Sequence, residues 1–158
     1  MEQNCVQILA RSLEKKSQAL SKIIEQNTLQ ETILKQEEFD MDAFEASVDA
    51  QNKLVEELEQ LDTGFEALYE RVREDMMVNK DRYHQEIASM KELIQQITDK
   101  VVTVNAGNMR NKRLAENQFK KVRENIRNGI SKSKVARGYY NSMNNLNHVP
   151  PQFYDSKK

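Results

Sequence analysis

The chain has 158 residues, of which 38% are hydrophobic, 31% charged and 6% aromatic, with four Gly, two Pro and no Trp. This length favours a single domain, and so few turn-forming residues argue against a β-sandwich or a barrel. No apolar run approaches the roughly 20 residues that cross a bilayer, and no signal peptide is seen, so we predict a soluble cytoplasmic protein without membrane insertion. Cys5 is the single cysteine, which excludes an internal disulfide and fits a reducing compartment.

The formal net charge of −1 hides an uneven distribution of charge along the chain. Residues 1–106 hold 12 Lys and Arg against 22 Asp and Glu, a balance of −10, whereas residues 107–158 hold 12 against 3, a balance of +9. An acidic body with a basic end is the first indication that the two parts have different tasks.

A seven-residue repeat predicts a first helix over about residues 3–37. Its members are Val6, Leu13, Leu20, Asn27 and Leu34, and they share a face with Leu9, Ile23 and Ile24. This is the period of a helix that packs on other helices. The stretch from Glu37 to Asp42 interrupts the pattern, and Asp42 followed by Glu45 predicts an N-cap with its capping-box partner.

Two further apolar stripes predict a second helix over about 42–77 and a third over about 81–129, with a turn near 77–81. Gly64, which follows Asp62 and Thr63, is the alternative position for that turn. The stripes have steps of three and four residues, with Leu54, Leu58, Leu61, Phe65, Leu68 and Val72 in the second helix and Tyr83, Ile87, Met90, Ile94, Ile97, Val101 and Val104 in the third.

Asn27 stands where the stripe of the first helix expects Leu, and a single buried Asn commonly fixes the register of a coiled coil. Asn105, Asn108 and Asn111 form a similar polar patch on the third helix. The sequence leaves two alternatives open, since these amides either pair with one another or lie exposed.

Residues 131–158 have a different composition, rich in Ser, Lys and Asn and containing Pro150 and Pro151, which predicts a mobile basic tail. This tail nevertheless carries large aromatic side chains with no periodic core position to fill, namely Tyr139, Tyr140, Phe153 and Tyr154. The predicted architecture is all-α: an elongated antiparallel three-helix bundle of coiled-coil character over residues 1–130, followed by the tail.

We find no arrangement of residues suited to catalysis or to binding a metal or cofactor. His84 and His148 lie far apart in sequence without other ligand residues at metal-binding spacing, and Cys5 has no nearby base. The Glu clusters fall off the apolar stripes, and no glycine-rich loop follows a strand. We therefore predict a protein that is not an enzyme and needs no cofactor.

The cations of the basic end either contact a partner or form a solvated face. Phe119, Val122 and Ile126 lie between these cations at helical spacing, and the acidic body would repel a polyanion. Both observations argue against nucleic acid as the partner. The same apolar stripe either receives a client helix or packs on the bundle or on the tail.

The chain resembles the FlgN-type flagellar export chaperones, which are small cytoplasmic proteins of three helices with a mobile C-terminal tail. The similarity lies in an acidic turn, a Lys/Glu/Leu-rich second helix, an Asn-containing stretch of the third helix and a tail with a Tyr beside Gly and a basic end. The corresponding stretches here are Phe39 to Phe44, Lys53 to Leu58, Val104 to Leu114, Gly138 to Tyr140 and Asp155 to Lys158. Here Gly138 precedes the Tyr pair, whereas in the family the Gly more often follows.

The resemblance implies a protein that binds hook-filament junction (hook-associated) proteins before export and delivers them to the flagellar secretion gate. It implies gate contact at Tyr139 or Tyr140, with client contact at Phe119, Val122, Ile126 and Ile130. Phe153 and Tyr154 are further candidate partner contacts on the tail. We expect a monomer or weak oligomer, and a self-associating coiled-coil scaffold is the alternative interpretation.

Overall fold

The computed structural model describes residues 2–128, and within this range the chain forms three α-helices. These are α1 (Glu2–Leu34), α2 (Met41–Val78) and α3 (His84–Arg127). They confirm the predicted all-α three-helix bundle. The expectation of a mobile tail over 131–158 lies outside the described residues.

Helix α1 is the central element of the bundle. Its core positions alternate in steps of three and four residues from end to end, and each is at most 4% exposed. These positions are Val6, Leu9, Leu13, Lys16, Leu20, Ile23, Asn27, Gln30 and Leu34. Such spacing keeps one seam of the helix buried against two neighbours, which is the geometry of a coiled coil.

The direction of each helix follows from contacts across the bundle. Gln30 meets Gln51 and Lys16 meets Asp62, so α2 runs antiparallel to α1. Helix α3 runs parallel to α1 in a constant register, because the hydrogen-bonded pairs Lys100–Ser17 and Gln118–Leu34 are 83 and 84 positions apart. Both helices pack along α1, whereas α2 and α3 approach each other closely at very few positions. The two outer helices therefore wrap around α1 more than they pack on one another.

The first turn differs in detail from its prediction. Helix α1 ends at Leu34 and not near residue 37, and the N-cap of α2 is Asp40, whose carboxylate accepts a hydrogen bond from the Ala43 N–H at 3.0 Å. Phe39 before the cap packs on Phe44, with ring centroids 5.6 Å apart. This pair is a hydrophobic staple, which selects the entry angle of a helix and here places the cap at Asp40. Asp42, the predicted N-cap, lies exposed in the first turn of α2.

The second turn lies between Val78 and His84, next to the position predicted from the sequence. Asp75 organises it, since its carboxylate accepts hydrogen bonds from the Asn79 side chain and from the hydroxyl of the fully buried Tyr83. Helix α2 continues through Gly64 without interruption, so the alternative turn is not formed.

The buried apolar residues form two clusters. The long cluster extends along all three helices from Val6 to Val104 and is mostly aliphatic. The short cluster surrounds the first turn and consists of Ile33, Leu34, Phe44, Val48, Ala115 and Phe119.

An amide layer separates the two clusters, and it consists of Asn27, Gln30, Gln51, Asn108 and Asn111. The Gln51 amide nitrogen donates to Asn27 Oδ1 at 2.8 Å and to Asn108 Oδ1 at 3.1 Å, and Gln51 Oε1 accepts from Gln30 at 2.9 Å. Asn111 donates to the Asn27 carbonyl at 2.8 Å. The predicted polar patch is thus divided, because Asn108 and Asn111 pair with the other helices while Asn105 is exposed.

Gly107 lies against this layer and permits the close approach of α3 to α1. A Cβ atom at this position would lie 2.7 Å from Asn27 Nδ2 and 3.2 Å from Asn27 Cβ. The same Asn27 nitrogen donates to the carbonyl of Val104 at 3.3 Å. The glycine therefore allows an amide side chain to reach the backbone of a neighbouring helix.

A second polar level lies within the long cluster. Lys16 is only 2% exposed, and its ammonium forms an ion pair with Asp62 of α2. One residue further, the Lys100 ammonium donates to the hydroxyl of Ser17 at 2.7 Å and to its carbonyl at 3.2 Å. Charged groups that are largely removed from solvent need specific partners. These contacts therefore align all three helices at this level.

Candidate partner-binding site

The predicted client-binding residues lie where α3 continues beyond the end of α1. The side-chain amide of Gln118 donates to the carbonyl of Leu34 at 2.8 Å, which satisfies one of the free carbonyls at the α1 C-terminus. Residues 119–127 of α3, called here the α3 extension, therefore continue beyond the last residue of α1. Among the described residues, the inner end of this extension packs in the short cluster, with Ile33 and Leu34 at the end of α1 and with Phe44 and Val48 of α2.

Phe119 is a core residue of the short cluster. It is 1% exposed, and its ring meets that of Phe44 edge-on with centroids 6.1 Å apart. The structure therefore places Phe119 inside the bundle, where it supports the surface. This position corresponds to the packing alternative left open by the sequence, and client contact at Phe119 stays a prediction.

Val122 and Ile126 occupy the outer part of the same stripe. Both are half-buried, and Val122 packs against the short cluster. Ile126 lies close to the C-terminal end of the helix. The remaining predicted contacts, Ile130, Tyr139, Tyr140, Phe153 and Tyr154, lie outside the described residues.

The charges around this stripe are mostly positive. Between residues 107 and 128 there are seven Lys and Arg against Glu116 and Glu124. Arg110 belongs to the bundle, because its Nε lies 2.9 Å from a Glu31 carboxylate oxygen and its guanidinium also donates to the Asn27 carbonyl at 3.3 Å. The other cations of this stretch are exposed, and they are Lys112, Arg113, Lys120, Lys121, Arg123 and Arg127. The α3 extension is thus an apolar stripe within a basic surface.

The described residues show no arrangement that suggests a metal centre. No group of three or more His, Cys, Asp or Glu among residues 2–128 is placed to hold an ion. His84 is exposed at the start of α3, and Cys5 is half-buried in α1. Over the same range, no helix combines the length and apolar character that crossing a membrane requires.

The sequence-based predictions missed the buried polar residues Lys16, Gln30 and Gln51 and the half-buried Asp62. For Lys16 and Gln30 the sequence did contain a signal, because the three-four alternation of α1 continues through both residues although neither is apolar. The predictions also missed an apolar surface near the second turn, which the run Met76-Met77-Val78 at the end of α2 signals.

Comparisons of the chain with protein-family models, with curated proteins and with solved structures give no match. The resemblance to FlgN-type chaperones accordingly stays a prediction based on the residues quoted for it.

Proposed function

We propose that this chain is a non-catalytic export chaperone of the FlgN type. It binds hook-filament junction proteins in the cytoplasm and delivers them to the flagellar secretion apparatus. The observation that supports this best is the α3 extension, where an amphipathic helix loses its α1 neighbour but keeps its apolar stripe.

A client helix has room at this place. Because α1 ends at Leu34, none of the three helices described over residues 2–128 continues α1 along the α3 extension, and another helix can take that position. Val122 and Ile126 are half-buried and supply apolar contacts in the manner of helix-in-groove recognition. The surrounding Lys and Arg accelerate encounter with a client and add less to its affinity.

In this proposal the tail delivers the client. Tyr139 or Tyr140 contacts the gate, and Phe153 and Tyr154 add aromatic anchors of the kind that dominate protein interfaces. Holding a client needs no chemical step, so the proposal requires neither a catalytic residue nor a cofactor.

Binding to a purified hook-filament junction protein tests the proposal directly. We expect a complex by size-exclusion chromatography and titration calorimetry, and we expect Ile126→Glu to weaken it at least about tenfold by placing a charge in the apolar contact. Val102→Glu is the matched control, because Val102 is 65% exposed on α3 away from the extension. Circular dichroism melts should show that both variants remain folded.

Two results would contradict the proposal. One is the absence of a complex together with a stable higher oligomer of the chain alone, which would favour the scaffold interpretation. The other is equal weakening by Ile126→Glu and Val102→Glu, which would place the contact elsewhere. Deleting 131–158 should leave client binding by the helices in place and abolish delivery in an export assay.

A further inference from the structure

A cleft opens at the end of the bundle opposite the α3 extension, between the last turns of α2 and the first turns of α3. Its volume is about 530 Å³. The floor is apolar and contains Tyr69, Met76, Met77, Ile87 and Ala88, while the rim contains Arg73, Lys80, Asp81, His84 and Lys91. We call it the turn-end cleft.

The cleft exists because of how the helices pack. Helices α2 and α3 are both held by α1 and approach each other closely at very few positions. None of the residues that line the cleft belongs to α1, so it lies on the side of the α2–α3 pair that faces away from α1. This is the position that a further helix would occupy if the bundle had one at this level.

The floor of the cleft keeps large apolar groups in contact with solvent. Met77 is 63% exposed and Tyr69 is 38% exposed. The stripe continues along α3 from Ile87 to Ile94, which is 49% exposed two turns later. Tyr69 stacks on Phe65 with the rings 6.0 Å apart and nearly parallel, so its position is defined. Flexible Met side chains beside a fixed aromatic ring are well suited to receive the apolar side chains of another helix.

The rim has the opposite charge to the body around it. Residues 1–106 contain 22 Asp and Glu against 12 Lys and Arg, yet the cleft is lined by three cations and a single carboxylate, that of Asp81. Arg73 is engaged only weakly, by an exposed contact of 3.8 Å with Glu70. Among residues 2–128, no carboxylate forms an ion pair with Lys80 or Lys91. Within the described range, Lys80 and Lys91 therefore stand beside the apolar floor without an ion-pair partner.

We propose that the turn-end cleft is a docking site for an acidic amphipathic helix of a partner protein. The apolar floor fits a stripe with steps of three and four residues, and the cationic rim fits carboxylates that flank the stripe. The tail of the chain itself is a poor match, because residues 129–158 contain five Lys and Arg against Asp155. Charge thus favours an acidic partner over this basic segment.

This site is distinct from the proposed client site. Lys91 and Ile126 are about 50 Å apart along α3 at the usual helical rise, so both ends of the bundle can be occupied at once. The inference does not depend on the chaperone proposal, because it rests on different residues and is tested with a different ligand.

The test uses two synthetic helical peptides of about 18 residues, or five turns. Both have Leu in alternating steps of three and four, and the other positions are Glu and Ala in one peptide and Lys and Ala in the other. Fluorescence anisotropy with the full chain gives the dissociation constants at low and high salt. We expect the Glu peptide to bind more tightly than the Lys peptide, with a difference that narrows as salt is added.

Variants locate the binding. Met77→Glu should weaken binding of the Glu peptide at least about tenfold, since it removes an apolar anchor and adds a repelling charge. Lys91→Glu should weaken it less, and mainly at low salt. Met109→Glu is the control for the first variant, because Met109 is 57% exposed in the middle of α3. Lys112→Glu is the control for the second, because Lys112 is exposed in the basic half of α3.

Each of the following outcomes would overturn the proposal. Equal binding of the two peptides would show that the cationic rim does not select an acidic helix. Weakening by Lys112→Glu as large as that by Lys91→Glu would show that the basic end holds the peptide. A concentration-dependent dimer of the chain alone in sedimentation, abolished by Met77→Glu, would assign the cleft to a second copy of the chain.

Discussion

The two apolar clusters enclose their cores by different means. The long cluster has three helices at every level, and aliphatic side chains at regular spacing suffice to fill it. The short cluster lies where α1 ends. There the core is enclosed by three rings that pack on one another, those of Phe39, Phe44 and Phe119. Where a bundle loses a helix, a few large rings replace the many small contacts that the helix supplied. The short cluster is therefore more sensitive to the loss of any single residue.

The amide layer between the clusters aligns the helices. Its side chains reach from each helix to the other two, so sliding one helix by a turn would leave several buried amides without partners. A hydrophobic layer tolerates such a shift more readily, because apolar contacts lack direction. The layer thus specifies which residues of the three helices lie at the same level.

The largest effect should follow from breaking the short cluster. Phe44→Ala removes a fully buried ring that contacts both Phe39 and Phe119, and we expect a loss of about 3–5 kcal/mol in the free energy of unfolding. Native-state hydrogen exchange should show faster exchange of amides in 114–127, while those in 90–104 stay protected. Leu58→Ala, in the long cluster, is the comparison. If Leu58→Ala accelerates amide exchange in the α3 extension as much as Phe44→Ala does, the two clusters do not unfold separately.

Breaking the amide layer should cost less. Gln51→Leu leaves Asn27, Gln30 and Asn108 without a shared partner, and we expect a loss of about 1–3 kcal/mol, measured by urea denaturation. A double-mutant cycle with Asn27→Leu should show coupling of at least about 0.5 kcal/mol, because the two side chains belong to one network. Strict additivity of the two substitutions would argue that the network does not act as a unit.

The two helical glycines of the described chain should respond with opposite sign. Gly107→Ala forces a methyl group against Asn27, so we expect destabilisation of about 1–3 kcal/mol despite the better helix propensity of Ala. Gly64→Ala meets nothing within 4 Å, and we expect stabilisation of about 0.5–1 kcal/mol. Thermal melts followed by circular dichroism measure both. A stabilising Gly107→Ala would show that α3 does not approach α1 closely at this level.

The smallest effect concerns the cap at the first turn. Asp40→Ala should cost about 1 kcal/mol, because the Ala43 N–H loses its acceptor. Asp42→Ala should cost only a few tenths of a kcal/mol, since Asp42 acts through the helix dipole alone. Chemical denaturation of the two variants distinguishes them. A larger loss of stability for Asp42→Ala would instead favour Asp42 as the N-cap, the position that the sequence pattern predicted.

Much of the candidate site could be located from the sequence, but its accessible part could not. The stripe through Phe119, Val122 and Ile126 is visible as helical spacing, and the basic character of the surface follows from counting charges. Which side of the stripe faces the bundle depends on where α1 ends and on how Phe44 meets Phe119. Periodicity identifies an apolar face without showing what covers it.

The number of helices, their approximate extent and the separation of an acidic body from a basic end could all be predicted from the residues alone. These properties depend on spacing, propensity and charge, which are local quantities. Contacts in three dimensions set the cap at Asp40, the burial of Lys16 and the partners of Asn27. Each of these depends on which residue of another element, or of the far side of a turn, comes within contact distance. These contacts form only when the three helices pack together in one register.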